Sequence, residues 1–161
     1  MAGSKSLGLF AICGLAITCA LSAQEKTMTT QVKRVTPVLF VQNVEPCLRF
    51  WELLGFKRAM EVPDGATLAF AAMQKDGVEI MYQSIASAMK DPSASAAAKQ
   101  QLESHTFLYV EVADLDAVLA ALNGISLEVG KHTTFYGATE IVVRDPGRHF
   151  ITFAQFAQLA H

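Results

Sequence analysis

Val41-Gln42-Asn43-Val44, Cys47-Leu48-Arg49-Phe50-Trp51 and Leu54-Gly55-Phe56 form a stretch whose grammar returns as Val112-Ala113-Asp114-Leu115, Val118-Leu119-Ala120-Ala121-Leu122 and Asn123-Gly124-Ile125. The offset is 71 residues between Val41 and Val112 and 69 between Gly55 and Gly124, so the second copy is two residues shorter. Each copy reads as strand, turn, helix, glycine stop and strand, and further strand-like runs follow. A supersecondary unit that cannot cover its own apolar face stacks against its repeat. Two such units pair into one domain with a cleft between them, and clefts hold ligands.

Working outward, residues 35–41 predict a strand. Asn43 is placed to cap the next helix, with Pro46 in its first turn and Gly55 at its end. Residues 56–62 predict a second strand, closed by the turn signal Pro63-Asp64-Gly65. Residues 67–73 and 78–82 form a pair around Asp76-Gly77. The second copy runs from a strand over 105–112, through a helix capped by Asp114 and ending near Leu122, to strands over 125–129, 139–144 and 150–156. Residues 133–137 stay open between strand and loop. Proline and glycine at the centre of Asp145-Pro146-Gly147-Arg148 predict a type II turn. Residues 84–104 are a connector rich in alanine and serine. Asp91-Pro92 reads there as a helix cap, and Ala94, Ala97, Ala98 and Leu102 as a thin apolar stripe; a mobile lid is the alternative. The expectation is an α+β domain over 35–157. It consists of two paired βαβββ modules, about 35–83 and 105–156, in a curled mixed sheet with a central cleft.

Composition narrows the function. The chain has 161 residues, 52% hydrophobic and 17% charged, with a formal net charge of −2, which suits one globular domain with a substantial core. It lacks a basic patch, which argues against a nucleic-acid partner. Lys5, the apolar run 7–20 and Ala20-Leu21-Ser22-Ala23 have the layout of a secretory signal peptide over 1–23, followed by a flexible tether over 24–34. The implied location is periplasmic or secreted, with no stable membrane span after processing. An uncleaved anchor and lipidation at Cys19, after Thr18, are the alternatives. Cleavage removes Cys13 and Cys19, so Cys47 has no intramolecular disulfide partner and is expected as a buried small hydrophobe.

Strand period sorts side chains into two faces. Leu39 and Val41, Val78, Ile80 and Tyr82, Leu108, Val110 and Val112, and Ile151 and Phe153 suit packing under helices. The opposite faces mix aromatic and polar groups and are expected to line a cavity. These are Thr36, Val38 and Phe40, Glu79 and Met81, His105, Phe107, Tyr109 and Glu111, and Phe150, Thr152 and Ala154.

Phe50-Trp51 to Leu54-Gly55-Phe56, Gly77-Val78-Glu79-Ile80-Met81 and Arg144-Asp145-Pro146-Gly147, in this order and spacing, resemble the vicinal oxygen chelate superfamily. That superfamily includes glyoxalase I, bleomycin-resistance proteins and extradiol dioxygenases. The resemblance covers roughly residues 35–156 and implies paired βαβββ modules curled into a barrel-like cleft. It also implies a possible homodimer, since relatives often complete their clefts across a twofold axis. In metal-dependent members, one side chain from the first and last strand of each module holds an ion; the resemblance places Thr36, Glu79, Phe107 and Thr152 there. Only Glu79 is a good ligand, so no metal or other cofactor is expected. A displaced site using Glu79 and His105 is the metal alternative, and two ligands are too few for a catalytic ion without help from another chain.

Among candidate site residues, Glu79 is the leading one. It is read as a general base with a raised pKa, or as the holder of a cationic ligand, against an ordinary ion pair with an arginine. His105 is its candidate proton-transfer partner, against a strand-end histidine bonded to backbone. Phe40, Met81, Phe107, Tyr109, Phe150 and Thr152 would line a pocket for a small organic molecule, against ordinary core packing, with Tyr136 at its mouth. His132, His149 and His161 are read as surface residues. No nucleophile triad, phosphate loop or zinc pattern appears. The expected function is an exported binder of a small hydrophobic or cationic molecule, with a lyase or isomerase activity left open. A metal-dependent lactoylglutathione-lyase-like or dioxygenase-like enzyme is the alternative, and an interaction domain without a pocket is the third reading.

Overall fold

A computed structural model describes residues 31–157. The expected signal peptide and most of the tether lie outside them, and the fold below is that of the compact unit from Arg34 onward. Among the described residues, no helix is long and apolar enough to cross a membrane.

The first module runs β1 (Val38–Val41), α1 (Val44–Leu53), β2 (Lys57–Asp64), β3 (Thr67–Lys75) and β4 (Val78–Ser84). The second runs β5 (Phe107–Glu111), α4 (Leu115–Ala121), β6 (Leu127–Thr133), β7 (Ala138–Arg144) and β8 (Phe150–Phe156). Between them lie α2 (Ile85–Lys90) and α3 (Ala96–Gln100). Each module forms its own four-stranded mixed sheet, ordered β1-β4-β3-β2 and β5-β8-β7-β6, with the first strand parallel to the last. The repeat is therefore real at the level of topology. The two sheets do not close into a barrel.

Local chemistry explains most boundaries. Asp114 caps α4 by accepting from the N–H groups of Asp116 and Ala117 at 2.9 and 3.0 Å. Asn43 occupies the cap position of α1 but makes no side-chain cap bond. Glu45 in the first turn accepts instead from the Leu68 N–H at 2.8 Å, tying the helix to β3. Asp76 and Gly77 both take positive φ, 50° and 78°, which suits a tight hairpin between twisted strands.

Three local readings need correction, and one open stretch is resolved. β2 continues through Pro63 and Asp64, so the turn falls one residue later, at Gly65 and Ala66. Proline is tolerated there because β2 is an edge strand with no ladder to maintain on its outer side. Asp91-Pro92 does not open a helix. Asp91 follows α2 and folds onto Ser93, accepting from its N–H at 2.8 Å, while Ser84 and Ser95 cap the two connector helices. Residues 133–137 resolve into the end of β6 and a turn, with Gly137 at φ 87°. The 145–148 turn is not type II, because the positive φ belongs to Arg148 (69°) rather than Gly147. Gly147 is needed for space: a Cβ there would come within 2.4 Å of the Val41 side chain.

The strand parities hold. Leu39, Val41, Ile80, Tyr82, Ile141, Val143, Ile151 and Phe153 bury one face of both sheets against Val44, Cys47, Leu48, Trp51, Leu115 and Val118 of the helices, in one continuous core. Trp51 packs edge-on against Phe56 and Phe153, so α1 touches both modules. Burial pushes the Cys47 thiol up to about 12, leaving it inert, as expected of a small core hydrophobe.

Threaded through this core is a polar chain. The Trp51 Nε1–H donates to the Tyr82 hydroxyl at 2.7 Å, and that hydroxyl donates to Asp145 Oδ2 at 2.6 Å. Asp145 Oδ1 accepts from the His149 N–H at 2.8 Å. The His149 ring accepts from the Thr106 N–H through Nδ1 at 3.0 Å, and its Nε2 lies 3.2 Å from the Phe40 carbonyl, to which it donates. The surface reading of His149 is therefore wrong. It is only 1% exposed and clips β1 to the segment entering β5.

Two outcomes follow. Tyr82→Phe strips partners from Trp51 and Asp145 at once, and Gly147→Ala drives a methyl into Val41. Each should lower unfolding free energy by about 1–3 kcal/mol in urea titrations. Burial depresses the His149 pKa, so the folded form refuses a proton that the unfolded chain accepts. Its contribution is intact above the unfolded histidine value of about 6.5 and declines as pH falls below it. Asp145, raised by burial, acts in the opposite sense at lower pH. Urea midpoints measured from about pH 7.5 to 5.5 should fall for the wild type and fall less for His149→Gln.

Candidate functional site

Glu79 sits near the start of β4 on the face away from the helices. Thr36 donates its hydroxyl to Oε1 at 3.1 Å, the Arg34 guanidinium lies 2.9 Å from the same oxygen, and the Gln74 amide donates to Oε2. Gln74 faces Glu79 across the β3–β4 pairing, so the strand register itself builds the contact. These bonds, first Gln74 and then Arg34, hold the Glu79 carboxyl below its ordinary range. That direction is opposite to the raised value a general base was expected to have. The ion-pair alternative describes the geometry.

A cleft of about 350 Å³ opens beside this group, in the seam between the modules. Trp51, Phe56, Ile80 and Leu108 give it apolar walls, Arg34 and Glu79 are its charged residues, and Tyr109 borders it. Glu79 and Tyr109 are the two expected site residues that meet there. His105 is elsewhere: it lines a separate hollow with Phe40, Gly147 and His149, and its ring centroid is 6.3 Å from that of His149. Phe40 faces the connector, where it lines a hollow of about 310 Å³ with Ala88, Ala98 and Leu102. Met81 is half-buried at the centre of the first module's open face, between Val38 and Ala72.

The open face of the second module gathers the remaining expected residues. Phe107 and Phe150 are paired across β5 and β8 and stack with centroids 4.7 Å apart and planes 4° from parallel. Arg144 lies over Phe150 at 4.4 Å, a cation–π contact, and its guanidinium also pairs with Glu128 at 3.1 Å. Phe107 is 75% exposed. Tyr109 pairs with Thr152 beside this stack.

Register also sets the correspondence between modules. Val38 opposite Met81 matches Tyr109 opposite Thr152, so Thr36 and Glu79 correspond to Phe107 and Phe150, and Met81 to Thr152. Gln74 likewise corresponds to Arg144. The quartet carried over from the family resemblance, Thr36, Glu79, Phe107 and Thr152, holds one carboxylate, two hydroxyls and one hydrocarbon ring without a lone pair, and among the described residues no group of three or more His, Cys, Asp or Glu side chains is placed to hold an ion.

One residue escaped the sequence reading. Glu140 on β7 is only 6% exposed, and its Oε1 accepts from Tyr109 at 2.9 Å and also from the Tyr136 hydroxyl. Burial and the bond to Glu140 raise the Tyr109 pKa, and chiefly the bond to Glu140 raises that of Tyr136, so both phenols stay protonated. Tyr136 belongs to the β6–β7 turn, as anticipated, but its hydroxyl is turned inward onto this acid. Parity was the available signal: 138, 140 and 142 share a face opposite the aliphatic Ile141 and Val143.

Comparison with known proteins places this geometry in a family. The Glyoxalase/Bleomycin resistance protein/Dioxygenase superfamily matches residues 31–153, and the chain belongs to it. Among solved structures, it is similar to TioX from Micromonospora sp. ML1, at 16% identity and TM-score 0.64, over 78% of this chain and 100% of that one. It is also similar to a glyoxalase/bleomycin resistance protein/dioxygenase from Nocardioides, at 17% identity and TM-score 0.62, over 83% and 89% of the two chains. A bleomycin-binding protein complexed with bleomycin matches at 15% identity and TM-score 0.52, over 78% and 100%. At these identities the shared feature is the fold. No curated protein matches the sequence.

The Glu79 geometry is open to direct titration. Carboxyl-carbon NMR should find Glu79 titrating below an ordinary glutamate. Gln74→Ala and Arg34→Ala should each move it upward, and the double variant further than either alone. An unchanged midpoint in the double variant would remove these partners as the cause.

Proposed function

We propose that the protein is an exported small-molecule-binding protein that holds a hydrophobic or cationic organic ligand without a bound metal. The observation that carries this reading is the exchange between modules. Where the first has the polar pair Thr36 and Glu79, the second has the accessible ring stack of Phe107 and Phe150. Accessible stacked rings suit planar or greasy molecules and withhold the donors a divalent ion needs. Glu79 then acts as the charged partner of Arg34 at the cleft mouth. A carboxylate held below its usual range is a weak proton acceptor, and His105 faces a different hollow, which favours binding over proton transfer. The bleomycin complex of a distant relative is a property of that protein, and it supports the scaffold's capacity to hold organic ligands.

Export rests on the signal-like residues 1–23, and a homodimer completing the open faces belongs to the same proposal. The test is a thermal-shift screen of the mature chain against small aromatic compounds and divalent ions, with sedimentation velocity for the dimer. Aromatic ligands should raise the midpoint, and Phe107→Ala should blunt the gain. Zinc and nickel should leave the midpoint unchanged. Stoichiometric metal in the purified protein, with stabilisation lost in Glu79→Ala, would overturn the metal-free claim.

A further inference from the structure

Glu140 poses an electrostatic problem that the binding reading leaves open. It is nine-tenths buried, yet among the described residues none of the ion pairs includes it. Its two recorded partners are neutral phenols, both on Oε1. His132 faces it across the β6–β7 pairing, but its Nδ1 is turned to the Gly130 carbonyl at 3.0 Å. Arg144 is engaged with Glu128 and the Phe150 ring and Lys131 with Asp116, while Arg148 lines the separate hollow of His105 and His149. A buried carboxylate without a countercharge is costly, and hydrogen bonds from hydroxyls compensate only in part.

The surroundings suit one kind of countercharge. Tyr109 and Tyr136 are about half exposed, and Phe156, 6.3 Å from the Tyr136 ring, continues the wall. Ala138 and Ala154, which flank Glu140 on the same face, are too small to cover the rings. A phenol that donates to a carboxylate is polarised toward phenolate, which makes its ring face more electron-rich. Rings of that kind attract a cation whose charge is spread over methyl groups and which needs no acceptor of its own. Both phenols bond Oε1, so the charge on the carboxylate has a second oxygen, Oε2, that neither ring contacts.

Resting on the small-molecule reading above, we propose that the open face of the second module binds an organic ammonium group. The group seats over the rings of Tyr109, Tyr136 and Phe156 and is neutralised by the Glu140 carboxylate beneath them. The ligand class is thereby narrowed from hydrophobic or cationic to cationic.

Choline and 3,3-dimethylbutan-1-ol, which differ by a charged nitrogen against a carbon, separate charge from shape. Followed by NMR shift titration on the mature chain, choline should bind saturably and its uncharged counterpart about tenfold more weakly or not at all. Glu140→Gln, which keeps an acceptor for both tyrosines, should weaken choline by about tenfold, and so should Tyr136→Leu in the exposed turn should the first variant fold poorly. Glu61→Gln, on the exposed edge strand β2 of the first module, should leave it unchanged. Equal binding of the two probes, or choline binding indifferent to both site variants, overturns the ammonium assignment while leaving the small-molecule reading in place. If choline fails while neutral aromatics still stabilise the protein, the assignment alone falls. If no organic probe of either kind binds, the reading beneath it falls as well.

Discussion

Asp145 is the constraint around which the two halves are organised. It belongs to the turn between β7 and β8, yet its carboxylate receives the hydroxyl of Tyr82 from the other module, and through that hydroxyl the indole of Trp51. From the same turn His149 reaches back to β1 and to the segment entering β5. Five separate stretches of chain are thus joined by one buried polar chain. None of its links tolerates an apolar replacement of one partner alone, since the other would stay buried and unpaired. Hydrophobic packing is non-directional and would allow the sheets to slide; this chain fixes their relative position. The seam cleft inherits its shape from that fixing, because Trp51 supplies its wall and Tyr109 follows Thr106 by three residues.

The duplicated scaffold allows the modules to be read against each other. Both place a first strand parallel to a last strand at equivalent register, so equivalent side chains meet equivalent neighbours. What differs is chemistry. The first module fills one position with Thr36, Glu79 and Gln74, a compact set of hydrogen-bonding groups. The second fills it with Phe107, Phe150 and Arg144, a stack of two rings and a guanidinium. Selection for stability alone would not require the second arrangement to be accessible, since burying Phe107 would gain apolar burial energy. An exposed stack on a sheet face is better explained by something that lands on it.

How much of this was legible in the sequence depends on the range of the interaction. The repeat, the Asp114 cap, the Asp76-Gly77 hairpin and the two sheet faces are local, set by period and by neighbours a few residues away, and they were readable. Connector capping failed because Asp91 competes for its own local turn, and serines that look like filler do the capping. The equivalence of Glu79 and Phe150 lies beyond such local signals, because strand register across a parallel pair is fixed by the whole module. His149 was misread from its place beside a turn, although it shares parity with the buried Ile151 and Phe153. Gly147 looked like a turn glycine and proved to be a spacing glycine, because Val41 is a hundred residues away in sequence and touching in space.

The two acids of the site show why position rather than residue type decides a role. Glu79 stands out in sequence, flanked by Val78 and Ile80, yet Arg34 already meets its charge. Its field is largely cancelled at short range, and what remains is screened at the surface. Glu140 looks unremarkable between Thr139 and Ile141, but the fold buries it and gives its Oε1 two neutral phenols in place of a cation. On the same scaffold, the carboxylate that is easiest to notice is the one already paired. The one hidden beneath aromatic rings is the one on which the ammonium proposal rests.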